Sequence, residues 1–223
     1  MTESTLCFVL YTRRMFSGLS GIDIGIIFVS IVVSMTFHEA MHGFTAHWRG
    51  DSTAKDLGRL TLNPLKHSDL WTTVLLPIGL ILLGLPPFFI ARPVPFNPNR
   101  VKWHEYGAAL IGISGPLTNL LLAIVTSIVL RTEASHMGLS VIRILVLFID
   151  VNIAFFVFNM IPFPPLDGSR LLYAFAPEPV QEFMARIESG GLTYIFIFMF
   201  VVIFMFGNIL GNIEQHLLSF LIG

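Results

Sequence analysis

Apolar residues along this chain fall in long blocks, neither alternating nor confined to one helical face. Five blocks stand out, at about 22–46 (segment A), 70–90 (B), 106–130 (C), 141–161 (D) and 192–210 (E). Each is close to the roughly 20 residues that a helix needs to cross the hydrocarbon core of a bilayer. The connectors are polar. The stretch 48–69, WRGDSTAKDLGRLTLNPLKHSD, carries mixed charge. The stretch 91–103, ARPVPFNPNRVKW, alternates prolines with Val and Phe, which excludes a central strand and predicts a small extended or β element near 91–99. The stretch 166–191 mixes helix-compatible pieces with proline and glycine breaks. The pattern predicts an all-α polytopic membrane protein with four or five spans, and Gly79, Gly84 and Pro86-Pro87 allow segment B to be a re-entrant hairpin at 70–91.

Composition sharpens this picture. Of 223 residues, 54% are apolar and 12% are charged, against about 25% charged in soluble domains. The formal net charge of −1 and the absence of a basic tract give no reason to expect nucleic acid. Cys7, the single cysteine, excludes an intrachain disulfide and a cysteine-based zinc site. Arg13 and Arg14 follow a short apolar run instead of preceding it, unlike a cleavable signal. No repeat or appended soluble domain is visible. The expectation is one domain over 1–223, with its core at about 22–175 and a final span at 192–210.

The chemistry starts where segment A ends, in SMTFHEAMHGFTAHWRG (34–50). His38-Glu39-Ala40-Met41-His42 reads H-E-x-x-H. Four residues of helix advance about 400° and rise about 6 Å, so both imidazoles share a face and can chelate one zinc ion. Glu39 lies about 100° round, near enough to reach a metal-bound water without ligating. A glutamate at membrane depth is costly and marks a functional site by default. A third protein ligand is needed. His47, about 900° from His38, faces the other way. Trp48 stands where a metzincin would have its third histidine. The better candidate is Asp167, in NMIPFPPLDG, because Pro162, Pro164 and Pro165 unwind the end of segment D. Unwound backbone at that depth must be buried in protein or line a cavity. Taken alone, that stretch equally fits a plain helix-ending loop. Asn159, likewise, reads either as a site residue or as a helix–helix hydrogen bond.

HEAMH on one segment, GPLTN on a second and N-x-x-P-x-P-P-L-D-G on a third resemble the site-2 protease family of intramembrane zinc metalloproteases. GRLTLNPLKHSD and PVPFNP resemble its small prokaryotic members, which lack a PDZ domain. The resemblance covers about residues 30–175. It implies one Zn2+ per chain on His38, His42 and Asp167, with Glu39 as general base. It further implies that Asn159 holds the substrate backbone or the developing oxyanion, and that the segment around Asn119 is core packing near the site. The activity it implies is cleavage of peptide bonds in or near the transmembrane segments of membrane-protein substrates.

For the three ligands to meet, A and D must exit on one side of the membrane. The loops 47–69 and 91–105 then share that side and hold Arg49, Lys55, Arg59, Lys66, Arg92, Arg100 and Lys102. The positive-inside rule makes that face cytoplasmic, placing the active site of a multi-pass cell-membrane protein toward the cytoplasm, although Arg13 and Arg14 then lie outside. Among other polar groups, Asp150 reads as a partner for an arginine or a hydrated pocket, and Asn152 as an interhelical bond. His67 reads as a loop histidine, with a second metal role as the alternative, and Asp51 and Asp69 as solvated loop charges. The ARPVPFNPNR element is expected to offer an exposed strand edge that holds an extended substrate. The rival function is a metal-binding membrane protein without proteolysis, a transporter or an inactive relative. Substrate identity and oligomeric state are not legible.

Overall fold

The computed structural model describes residues 20–67, 70–75, 79 and 93–223. The helices are α1 (Gly21–Trp48), the single turn α2 (Thr53–Asp56), α3 (His104–Glu133), α4 (Leu139–Asn159), α5 (Gly168–Phe175), α6 (Glu178–Ser189) and α7 (Gly191–Ile222). Short 3-10 turns lie at Pro64–Lys66, Pro98–Arg100 and Ala134–His136, and a π-helical turn at Leu70–Leu75. Among the described residues, three helices are long and apolar enough to cross a membrane, starting at Gly21, His104 and Leu139. They coincide with segments A, C and D. Segment E lies inside α7, a continuous helix of 32 residues, well beyond the expected 192–210. Most of the hairpin expected at 70–91 lies outside the described residues.

Local chemistry explains where α1 begins. Ser20 and Asp23 form a capping box: the Asp23 N–H donates to Ser20 Oγ at 3.3 Å and the Ser20 N–H to Asp23 Oδ2 at 2.7 Å, meeting donors that a helix start leaves free. Asp23 is also ion-paired to Arg143 of α4, which ties the beginnings of two apolar helices together. The α4 helix stops at Asn159 because three prolines follow within six residues.

The central helix is α3, packed on α1, α4 and α5, while α4 also meets α1 and α7. Ala123, Leu130, Ile149 and Ile153 form a buried core between α3 and α4, with Leu217, Leu218, Leu221 and Ile222 of α7 laid over one end. A second cluster joins Ala46, Val101 and Ile111 near the end of α1. The bundle is therefore organised around α3, and α3 is what α1 and the α4–α5 break both pack against.

The expected β element is not a strand: no strand occurs among the described residues, and 93–97 has neither helix nor turn. Two of its five residues are prolines without an N–H. Three of its backbone groups bond to side chains instead of a neighbouring strand: Pro93 C=O accepts from Arg59 at 3.0 Å, and the Val94 and Asn97 N–H groups donate to Glu39 and Asp51. The 166–191 connector, read as broken helix-compatible pieces, forms α5 and α6.

Candidate metal centre

His38 and His42 come from successive turns of one face of α1, with ring centroids 4.6 Å apart and planes at 85°. Both are buried. Asp167 approaches from the unwound stretch between α4 and α5. Its Oδ2 lies 2.9 Å from His38 Nε2 and 3.3 Å from His42 Nε2. The three ligand atoms lie within 4.8 Å of one another. The two residues at the ends of this contact are 129 positions apart in sequence.

The far side of each ring is fixed by α3. His38 Nδ1 is 2.6 Å from Asn119 Oδ1, and His42 Nδ1 is 2.7 Å from the Ile111 carbonyl oxygen. Both partners are acceptors, so each Nδ1 donates its proton to α3, which leaves each Nε2 able to present a lone pair to a bound metal. This is the outer arrangement that orients metal-binding histidines. Asn119 is itself held: its Nδ2 donates to Asn152 Oδ1 at 2.9 Å and to the Ser34 carbonyl at 3.3 Å. Asn152 Nδ2 in turn donates to the Phe148 carbonyl at 2.8 Å. A fully buried amide pair thus links α1, α3 and α4 at the level of the site.

Gly115 of α3 completes the cradle. A Cβ there would lie 2.5 Å from His42 Nε2 and 2.6 Å from His38 Nε2, in the space toward which both lone pairs point. Two imidazole nitrogens and a carboxylate oxygen, converging on a pocket kept open by a missing side chain, suit zinc, which takes such ligands at about 2.0–2.2 Å and keeps one position open in catalytic sites. The residues present fit the ion.

Glu39, between the two histidines, is 7% exposed and does not join the cluster. Its Oε2 accepts the Val94 N–H at 2.9 Å. Nothing among the described residues bonds to Oε1. Asn159 sits at the last turn of α4, where its Nδ2 donates to the Phe155 carbonyl at 3.0 Å. It makes no bond to the histidines, Glu39 or Asp167 among the described residues.

Several secondary readings change. Asn119 is a direct partner of His38 and more than core packing. Asp51 is no solvated charge: it is fully buried, with Oδ1 accepting from Thr53 N at 3.1 Å and Thr53 Oγ1 at 2.5 Å, and Oδ2 accepting from Asn97 N at 2.6 Å. His67, expected as a loop histidine, is buried, and its Nε2 donates to the Thr61 carbonyl at 2.7 Å. Asp150 makes no ion pair among the described residues, since Arg143 on its own helix is engaged with Asp23. Asn152 is the interhelical bond expected, and Asp69 lies outside the described residues. The signal that pointed to Asn119 was its place in GPLTN, four residues after Gly115. Asp51 carried no signal at all.

Comparison with known proteins agrees with this chemistry. A model of Peptidase family M50 matches residues 126–204, which include Asn159 and Asp167. A Bacillus subtilis protein named "Putative zinc metalloprotease YwhC" is 36% identical over 182 residues, covering 78% of each chain. Mycolicibacterium smegmatis Rip2, named in the same way, is 28% identical over 178 residues, covering 75% of this chain and 64% of its own. Its Mycobacterium tuberculosis counterpart is 27% identical over 182 residues, covering 77% and 66%. No solved structure matches.

Proposed function

This chain belongs to peptidase family M50, the site-2 protease family, and is a zinc metalloprotease of the membrane; from that premise we propose that it hydrolyses peptide bonds in or near the transmembrane segments of membrane proteins. One observation carries the reading: the metal-binding histidines lie within an apolar helix long enough to span the bilayer. That helix ends at Trp48, which is exposed, as are Trp103 and Tyr106 at the start of α3. Exposed tryptophan and tyrosine at helix ends mark the membrane–water boundary. Counting back from Trp48, His42 and His38 lie about 9 Å and about 15 Å inside it.

Bound zinc supplies Lewis acidity, lowering the pKa of a water toward about 7 and polarising a carbonyl. Glu39 takes the proton of the attacking water through Oε1, the oxygen left unengaged, and returns it to the departing amine. Asn159 turns its amide from the Phe155 carbonyl to the developing oxyanion. Asn119 and the Ile111 carbonyl keep the imidazoles in the tautomer that presents Nε2. A transmembrane helix hides its carbonyls in its own hydrogen bonds, so the substrate must unwind before attack. The 93–97 segment beside Glu39 is suited to hold it extended, by adding a strand along its backbone.

In this reading the whole chain is one catalytic domain, and the Arg and Lys residues of the loops beside the site favour a cytoplasmic face for it. The decisive experiment is Glu39→Gln with a co-expressed single-span substrate. We expect zinc to be retained and cleavage to fall by about 10²–10⁴-fold, the usual worth of general acid–base catalysis. Unchanged cleavage would overturn the assignment.

A further inference from the structure

The contact between Glu39 and Val94 is built from both sides. The Val94 N–H meets Oε2, and Val94 itself is buried. Its side chain lies against Gly43, one helical turn beyond Glu39 on α1. A Cβ on Gly43 would come within 3.3 Å of Val94 Cγ1 and of Leu60 Cδ1, and 3.6 Å of Ala54 Cβ. Gly43, Ala54 and Leu60 therefore form a seat for one isopropyl group. The segment is pinned on either side of that seat, by Arg59 on the Pro93 carbonyl and by Asp51 on the Asn97 N–H. In extended chain, successive residues direct their backbone groups to opposite edges. The odd edge is thus spent on anchoring, and on the even edge the Val94 N–H meets Glu39.

We propose that the Val94 backbone N–H is the positioning group of the general base, holding one oxygen of Glu39 so that the other is presented to the attacking water. The inference rests on the peptidase reading and deepens it. The segment beside the site then sets the base as well as holding the substrate, which links the register of a bound peptide to the aim of Glu39. A charged acceptor bonded by a backbone N–H is a stronger contact than a neutral pair, and here the donor has no side-chain freedom to lose.

Two measurements on the zinc-loaded full chain decide it. Val94→Pro removes the N–H and leaves the even-edge carbonyl. With a single-span reporter whose membrane helix carries a Gly-Pro break, we expect kcat to fall at least tenfold, KM to change less than threefold and zinc to stay at one per chain. A raised KM at unchanged kcat, or kcat within twofold of wild type, overturns the proposal. The second measurement is hydrogen exchange of the Val94 amide in wild type and in Glu39→Ala, which reads the contact without catalysis. Exchange at least tenfold faster in Glu39→Ala supports it, and equal rates overturn it. If wild type leaves the reporter uncut, the peptidase reading fails on that result, while the exchange rates still decide whether Val94 holds Glu39.

Discussion

Two buried carboxylates, Glu39 and Asp51, accept backbone N–H groups from the same extended segment, three residues apart, at 2.9 Å and 2.6 Å. Their environments differ in completeness. Asp51 has both oxygens engaged, with Thr53 supplying two donors to Oδ1, so it has nothing left with which to do chemistry. Glu39 has one oxygen engaged and one unspent beside a metal-binding cluster. The same interaction closes the bonding of Asp51 and leaves Glu39 with one oxygen to spare. The metal centre shows the same division: His38 and His42 are held at Nδ1 by α3 and turn Nε2 toward Asp167.

The contrast predicts that changes at the metal centre act on zinc and catalysis, while changes at the loop anchor act on stability. The largest effect belongs to Gly115→Ala, whose methyl group would sit closer to both Nε2 atoms than real contacts allow. Zinc affinity should fall about 100-fold or more, at or beyond the top of the range for a lost outer partner, and metal content by atomic absorption measures it. Asn119→Ala comes next. Losing the acceptor for His38 Nδ1 frees the ring to choose the wrong tautomer, and zinc affinity should fall about 10–100-fold. Full zinc binding in either variant breaks the comparison.

On the other side, Asp51→Ala strands three donors and should cost about 1–3 kcal/mol, read from thermal melting in detergent, with the zinc content kept. The smallest effect is in pH. Burial pushes the Asp51 carboxyl up, but the Thr53 hydroxyl, the Asn97 and Thr53 N–H groups and the Arg100 charge together hold it below its ordinary 3.8. A carboxyl lowered in the folded state stabilises it above its unfolded value and loses that contribution as pH falls through the folded one. The margin of wild type over Asp51→Asn should therefore stay constant well above pH 3.8 and narrow below it, as melting at stepped pH would show.

What could be read in advance followed from local geometry. The i, i+4 spacing puts two histidines on one face wherever a helix forms, and the prolines before Asp167 end a helix in any context. The A, C and D blocks announce membrane helices because length and apolarity suffice. What escaped depends on approach between distant parts of the chain. Asp51 looked like a solvated loop charge because the donor that buries it, the Asn97 N–H, lies 46 residues away. Asn119 became a histidine partner only because α3 packs against α1. The alternating prolines of 93–97 correctly forbade a central strand, but nothing in the pattern foretold that side chains would take the bonds a neighbouring strand would have made.

The 129 positions separating His38 from Asp167 also constrain how the protein is made. During synthesis α1 reaches the membrane with His38, Glu39 and His42 before α3 and the Asp167 turn exist. Each ionised group would add about 2.5–3.5 kcal/mol to the cost of inserting a helix at its centre, offset by the apolar residues around it. Until the ribosome has passed residue 167, no third ligand can arrive. A growing chain that stops short of residue 167 thus holds two of the three metal-binding side chains and cannot complete the cluster.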